Sequence, residues 1–215
     1  MKKEYYVGID LSLRNTAVVI LDKNKNLIAC EIVSNAKLNN EELLSYNSKK
    51  ISDFIVAYAW FTHNDYRQDD FVLKGIALEE LSFASKSAVA DLIAANKWIL
   101  RTKLLETFPT IKLKQVSVKE WRSKVISKEE QKVINDKYPI LRAKRGMKLP
   151  KDEIKANNKN KALIKEETKK ATVSKLPKEI LDKFQEFIIK NKYKNASIYD
   201  LADSYFITIF SIPES

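Results

Sequence analysis

The chain has 215 residues, with 39 lysines and arginines against 28 aspartates and glutamates, and a formal net charge of +11. Its three scattered glycines exclude the glycine-rich loops that hold nucleotide phosphates, and a single cysteine and a single histidine exclude a disulfide framework and a four-ligand zinc site. No run approaches the ~20 apolar residues that cross a bilayer. We therefore expect a cytoplasmic protein without a signal peptide, a membrane segment or a nucleotide cofactor.

The first eighty residues predict a sheet that begins as a meander. Short runs rich in β-branched residues, separated by polar breaks, predict strands over residues 5–11, 16–21 and 27–33. Apolar residues at helical spacing predict a helix over residues 40–61. The unusually apolar run 75–79 predicts a central strand of a sheet.

The rest of the chain predicts helices that cover this sheet. A long helix is expected over residues 85–107, a strand over 111–116 and a short helix after Ser117, a plausible N-cap. Two further helices are predicted over 178–190 and 198–210. This order predicts a single α/β domain, residues 1–215, with an insertion before the last two helices.

Most of the positive charge lies in that insertion. Residues 142–175 carry twelve basic and four acidic side chains, which is +8 of the net +11. The segment is typical both of a solvated, partly disordered loop and of an arm that neutralises nucleic-acid phosphates, and the two interpretations are compatible. Lysines far outnumber arginines, which favours recognition of the backbone and of shape over direct reading of bases.

Acidic residues stand where burial is expected. Asp10 ends the first strand, and Glu79, followed by Glu80, ends the apolar strand. If these two strands lie side by side and parallel, their carboxylates meet at one edge of the sheet. Asp200 and Asp203 share one face of the last helix, roughly opposite its main apolar stripe, which by itself is typical of a solvent face. Ile207 and Phe210 flank that face, so the helix is apolar nearly all round, which favours carboxylates that point into a cleft.

Three motifs follow one another in a familiar order. VGIDLSLRNT (7–16), IALEE (76–80) and DLADS (200–204) resemble the motifs of the RuvC-type Holliday junction resolvases of the RNase H-like superfamily. Residues 83–88 and 115–122 are also similar to that family. The resemblance implies an α/β fold with an RNase H-like mixed five-stranded sheet flanked by helices. In that sheet β1, β2 and β3 are antiparallel, and β4 and β5 are parallel.

The resemblance also implies a site and a reaction. Asp10, Glu79, Asp200 and Asp203 would be the catalytic residues and the ligands of two Mg²⁺ ions, with Mn²⁺ as a substitute, because hard oxygen ligands suit these ions. Glu80 replaces Glu79 if the strand register differs by one residue. The implied reaction is paired hydrolysis of phosphodiester bonds in four-way DNA junctions, which leaves 5′-phosphate and 3′-OH ends. Two matched sites imply a homodimer.

Nucleic-acid contacts are expected beside the motifs and in the basic insertion. Phe83 stands one residue further from Glu79 than the stacking aromatic of well-known members, and the insertion is longer than the common bacterial pattern, which favours a phage-like or divergent member. The expected contact residues are Arg14, Phe83, Lys86, Lys119, Arg122, Arg142, Lys144, Arg145 and Lys148.

Other interpretations stay open. A nuclease of the same fold could act on flaps, forks or RNA–DNA hybrids, and a non-catalytic nucleic-acid-binding module could retain only the fold. Residues 8–12 also resemble the first phosphate loop of actin-like ATPases, but those proteins need further glycine-rich loops that this sequence lacks. Trp98 is a candidate contact in a dimer, although its helix could equally serve only to cover the sheet.

Overall fold

The computed structural model describes residues 3–34, 40–61, 71–80, 88–143 and 147–213. Within these ranges no helix combines the length and the low charge that a membrane-crossing segment requires.

The five strands form one mixed sheet in the order β3-β2-β1-β4-β5. β1 pairs antiparallel with β2, and β2 pairs antiparallel with β3. β4 is parallel to β1, and β5 is parallel to β4. The RNase H-like α/β architecture that the sequence implies is therefore confirmed. The strands are β1 (Lys3–Asp10), β2 (Asn15–Asp22), β3 (Leu27–Ser34), β4 (Phe71–Glu79) and β5 (Lys112–Val116).

Seven helices are present in the part of the chain that the structure describes. Most follow the predicted bounds, although β4 begins four residues before the predicted strand and the helix after it begins at Ala88. The helices are α1 (Asn40–Phe61), α2 (Ala88–Thr107), α3 (Val118–Val125), α4 (Lys128–Lys137), α5 (Lys151–Ser174), α6 (Lys178–Lys190) and α7 (Ser197–Ile209).

The sheet has an apolar core on each face. Val7 and Ile9 of β1 pack on one face with Leu100 and Leu104 of α2, in a core that α1 also enters. On the other face Ala77 of β4 packs with residues of α3, α6 and α7. Because successive side chains of a strand point to opposite faces, Gly8 and Asp10 face α7 while Val7 and Ile9 face α1 and α2.

The basic insertion is mostly helical, so the interpretation of residues 142–175 as a loop is wrong from residue 151 onward. The reason is that α5 buries polar side chains, Asn157, Thr168 and Thr172, which leave no apolar stripe in the sequence. The Asn157 side chain also bonds the backbone N–H and C=O of Leu141, at 2.9 Å each.

Helix α4 was not predicted from the sequence, although its start carries a recognisable signal. The Ser127 hydroxyl accepts from the backbone N–H of Glu130, and the Glu130 carboxylate accepts from the backbone N–H of Ser127. This reciprocal pair is a capping box, which satisfies two backbone donors that a helix start otherwise leaves unpaired. The sequence of α4 is predominantly polar, so it lacks the periodic apolar residues by which a helix is predicted, and none of its residues is buried.

Helix α7 lies directly against β1 at Gly8. A Cβ atom built on Gly8 would stand 2.5 Å from the backbone oxygen of Ser204 and would overlap the Thr208 hydroxyl. The Ser204 hydroxyl, in turn, donates to the backbone oxygen of Gly8 at 2.8 Å. Only glycine at this position allows the two backbones to approach so closely.

We expect Gly8→Ala to destabilise the protein, because the added methyl group has no space and α7 must move away from β1. Overpacking of this kind costs about 1–3 kcal/mol, which lowers the unfolding temperature by several degrees in a chain of this size. Gly75→Ala is the matched control, because a Cβ there meets nothing closer than 3.7 Å. Equal unfolding temperatures for the two variants in thermal denaturation would contradict this account of α7 packing.

Candidate active site

Two acidic residues leave the sheet side by side. β1 and β4 are parallel neighbours, and Ile9 pairs with Leu78, so Asp10 and Glu79 follow as the last residues of their strands. Ligand sites of parallel strands gather at such carboxyl ends because the chain turns away there and leaves a crevice.

The structure decides between the two adjacent glutamates. Leu78 packs in the core under α1 and α2, whereas Ala77 packs on the face that α7 covers. Alternation therefore directs Glu79 toward α7 and Glu80 away from it. In agreement, burial raises the pKa of Glu79, and the charge of Asp203 raises it further. Glu79 is thus the glutamate that joins the other acidic residues.

Helix α7 adds two carboxylates from above the sheet, and each is paired with a cation. Asp203 is 3% exposed, and its Oδ2 accepts from an Nη of Arg122 on α3 at 3.1 Å. Asp200 is more open, and its Oδ1 lies 3.0 Å from Nζ of Lys169 on α5. The basic insertion therefore contributes a side chain to the acidic site.

The four carboxylates interact strongly. Burial raises the pKa of Asp10 well above its usual range, and the charges of Glu79, Asp203 and Asp200 raise it further. Burial also raises the pKa of Asp203, although the Arg122 and Lys169 charges oppose this shift. For Lys169, burial lowers the pKa but the Asp200 charge and hydrogen bond outweigh it, so the net shift is upward. The site has excess negative charge that two cations only partly neutralise.

The residues present fit a hard divalent cation. Oxygen ligands from carboxylates are those that Mg²⁺ and Mn²⁺ prefer. Among the described residues no hydrogen-bond donor reaches Oδ1 of Asp203, a buried acceptor that a cation would satisfy. No group of three or more described His, Cys, Asp or Glu side chains is yet drawn together as a ligand set. Lys169 and Arg122 instead pair with Asp200 and Asp203.

The residues expected to touch nucleic acid are only partly brought together. Arg122 lies within the acidic site rather than on an open surface, with its guanidinium carbon 4.8 Å from the centre of the buried Trp121 ring. Four of the expected contacts are exposed, namely Arg14, Lys119, Arg142 and Lys148. Four lie outside the described residues, namely Phe83, Lys86, Lys144 and Arg145.

Sequence reasoning missed Lys169. Nothing in the sequence distinguishes this lysine from the others of the insertion, because its role depends on how α5 packs on α7. Its Nζ also lies 5.7 Å from the centre of the Tyr199 ring. This cation–π contact restricts where the ammonium group can lie. Only the tertiary structure identifies it as part of the site.

The sequence matches no family model and no curated protein. Among solved structures, the chain is similar to RuvC of Thermus thermophilus in complex with a Holliday junction, with 13% identity over 75% of this chain and 91% of that one, at a TM-score of 0.45. The Fowlpox virus resolvase in complex with a Holliday junction gives 13% identity over 97% and 96% of the chains, at 0.34. A ROK-family transcriptional regulator homologous to E. coli Mlc gives 9% identity over 56% and 30%, at 0.36. The strand order of the chain itself carries the assignment of the fold.

We expect Asp10→Asn to raise the unfolding temperature in metal-free buffer at neutral pH. A carboxyl whose pKa is raised on folding destabilises the folded state when it is ionised, and asparagine removes that charge. A gain of about 1 kcal/mol corresponds to about 2–4 °C. The difference should shrink as the pH falls through the raised pKa of the folded state and vanish below 3.8, the ordinary pKa of aspartate, because the carboxyl is then protonated in both states.

Asp136→Asn is the matched control, since it removes the same charge from an exposed site on α4. A lower unfolding temperature for Asp10→Asn than for the wild type in metal-free buffer would contradict the conclusion that the charge of Asp10 destabilises the folded protein.

Proposed function

We propose that this protein is a divalent-metal-dependent endonuclease of the RuvC type that resolves four-way DNA junctions. The observation that carries the proposal is that Asp10 and Glu79 end neighbouring parallel strands at the edge where α7 carries Asp200 and Asp203. Burial raises the pKa of Asp10 there, and the charges of the other three acids raise it further. Such a concentration of charge is costly for folding alone, and it suits the binding of cations that act on phosphodiesters.

The reaction is hydrolysis of a phosphodiester. Water attacks phosphorus, the bond from phosphorus to the 3′ oxygen breaks, and the products carry a 5′-phosphate and a 3′-OH. Bound Mg²⁺ or Mn²⁺, proposed as two ions, supplies charge neutralisation at the phosphate and lowers the pKa of the attacking water. Asp10, Glu79, Asp200 and Asp203 would hold these ions.

Arg122 and Lys169 have two roles in this proposal, one in the free protein and one at the substrate phosphate. Arg122 and Lys169 hold Asp203 and Asp200 in place and reduce the repulsion between carboxylates. With bound metal supplying that neutralisation, Arg122 and Lys169 would be free to donate to the phosphate oxygens of the substrate. Lysine and arginine are the side chains that bind phosphate most strongly.

Helix α5 links DNA binding to the chemistry. Lys155 and Lys159 lie one helical turn apart on its exposed side, and Lys169 further along the same helix reaches the acidic site. A duplex that lies along α5 would therefore place a phosphate near the carboxylates. This geometry favours recognition of the DNA backbone, as the lysine-rich composition also does.

A homodimer would supply the second active site that paired cleavage needs. Helix α2 exposes Trp98 at 64%, with Ile99 and Leu105 exposed to a lesser extent. Exposed apolar side chains of this size favour a protein interface. Sedimentation velocity tests the proposal, and a monomer at micromolar concentration, alone and with junction DNA, would rule it out.

A panel of labelled DNA substrates tests the activity. With Mg²⁺ we expect the wild type to cut a four-way junction at paired positions and to leave linear duplex intact. Asp10→Asn should lose roughly 10³-fold or more in cutting and keep junction binding in a gel-shift assay, because one of the proposed metal ligands is gone. Asp136→Asn should cut like the wild type.

The same panel separates the alternatives. Cleavage of flaps, forks or RNA–DNA hybrids in preference to junctions would change the substrate but keep the chemistry. Binding without cutting in either Mg²⁺ or Mn²⁺ would show a non-catalytic module. Cleavage by Asp10→Asn at the wild-type rate would remove the acidic site from the mechanism.

We expect the double variant Lys155→Gln/Lys159→Gln to bind junction DNA more weakly and with a shallower salt dependence. Each lost phosphate contact lowers the slope of log affinity against log salt by roughly 0.9. Lys49→Gln/Lys50→Gln on α1 is the control, because it removes the same charge from exposed positions away from the insertion. Equal slopes for both double variants would show that α5 does not contact the DNA backbone.

A further inference from the structure

Two consecutive side chains of α2 reach the two strand ends that carry the acids. The fully buried Asn96 donates from Nδ2 to the backbone oxygen of Ser12, two residues beyond Asp10, at 3.3 Å. Lys97 donates from Nζ to the backbone oxygen of Glu79 at 3.0 Å. Both bonds are made by α2, which packs on the face of the sheet opposite α7.

Lys97 is an unusual residue for this position. It is 6% exposed, and burying an ammonium group is unfavourable unless the structure supplies acceptors and negative charge. Here the acceptor is a backbone carbonyl at the end of β4, and the negative charges are those of Glu80 and Glu79. An apolar side chain of similar length would fill the same space without that cost. The ammonium group therefore has a role beyond packing.

We propose that Asn96 and Lys97 are positioning residues that fix the separation of Asp10 and Glu79. The inference rests on the proposed metal-dependent function. The pairing between β1 and β4 ends at Ile9 and Leu78, just before these acids, and the Glu80 N–H bonds the Val116 carbonyl of β5 rather than β1. Asn96 and Lys97 tie both chain segments to α2 just where the direct pairing of β1 with β4 has ended, one bond to each segment. Neither side chain would touch substrate or metal.

The consequence is selectivity for a small cation. Mg²⁺ requires near-ideal octahedral geometry at about 2.0–2.1 Å, whereas Ca²⁺ tolerates irregular geometry at about 2.3–2.6 Å. Rigid strand ends therefore favour Mg²⁺, and loosened strand ends lose affinity for Mg²⁺ more than for Ca²⁺. General destabilisation of the fold would weaken the binding of both ions alike.

Calorimetric titration of the intact protein with Mg²⁺ and, separately, with Ca²⁺ tests this inference. For Lys97→Met we expect roughly a tenfold or greater loss of Mg²⁺ affinity, the usual effect of losing a supporting residue, and a clearly smaller loss for Ca²⁺. Lys97→Arg keeps the positive charge and the donor, so it should recover part of the Mg²⁺ affinity. Lys103→Met is the control on the same helix, because its side chain is 44% exposed.

The outcomes distinguish failure of the proposed function from failure of the positioning role alone. Absence of metal binding by the wild type would overturn the proposed function, and this inference with it. Normal binding by the wild type with equal losses for Mg²⁺ and Ca²⁺ in Lys97→Met, or with none, would overturn the positioning role alone. If Lys97→Met does not fold, Lys97→Gln carries the same test, since its shorter amide cannot reach the Glu79 carbonyl in the same way.

Discussion

The contact between α7 and β1 at Gly8 is the constraint on which the site depends. A helix normally stands off from a sheet by the length of the side chains between them, and glycine removes that spacer here. The Ser204 hydroxyl fixes the approach by its bond to the Gly8 carbonyl. Asp203 precedes Ser204, and Asp10 lies two residues beyond Gly8. The same contact that packs the core therefore brings a helix carboxylate to the strand carboxylates.

Repulsion between the four carboxylates opposes this arrangement, and neighbouring cations reduce that repulsion. Arg122 and Lys169 each pair with one aspartate of α7, and they come from two different helices, α3 and α5, that both precede it in the chain. Lys169 makes the basic helix α5 part of the acidic site. Loss of the whole insertion would consequently disturb the site as well as any DNA binding, so exchange of single charges separates the two roles more cleanly than deletion.

The two faces of the sheet have different tasks at the same edge. The α7 face presents the carboxylates, and the α2 face holds the backbone that carries them through Asn96 and Lys97. This division follows from strand alternation, which directs neighbouring side chains such as Glu79 and Glu80 to opposite sides. Substitutions in α2 can therefore shift the backbone that carries the acidic residues without replacing any of the four carboxylates.

The sequence by itself determined the strands, the acidic residues at their ends and the order of the motifs, because alternation and strand-end carboxylates are local patterns. It could not choose between Glu79 and Glu80, since the two are adjacent and only the register decides. It also missed α5, whose buried residues Asn157, Thr168 and Thr172 are polar and resemble a solvated segment. The tertiary structure alone selected Lys169 and Lys97 from 39 basic residues, because burial and partners are properties of packing and not of spacing.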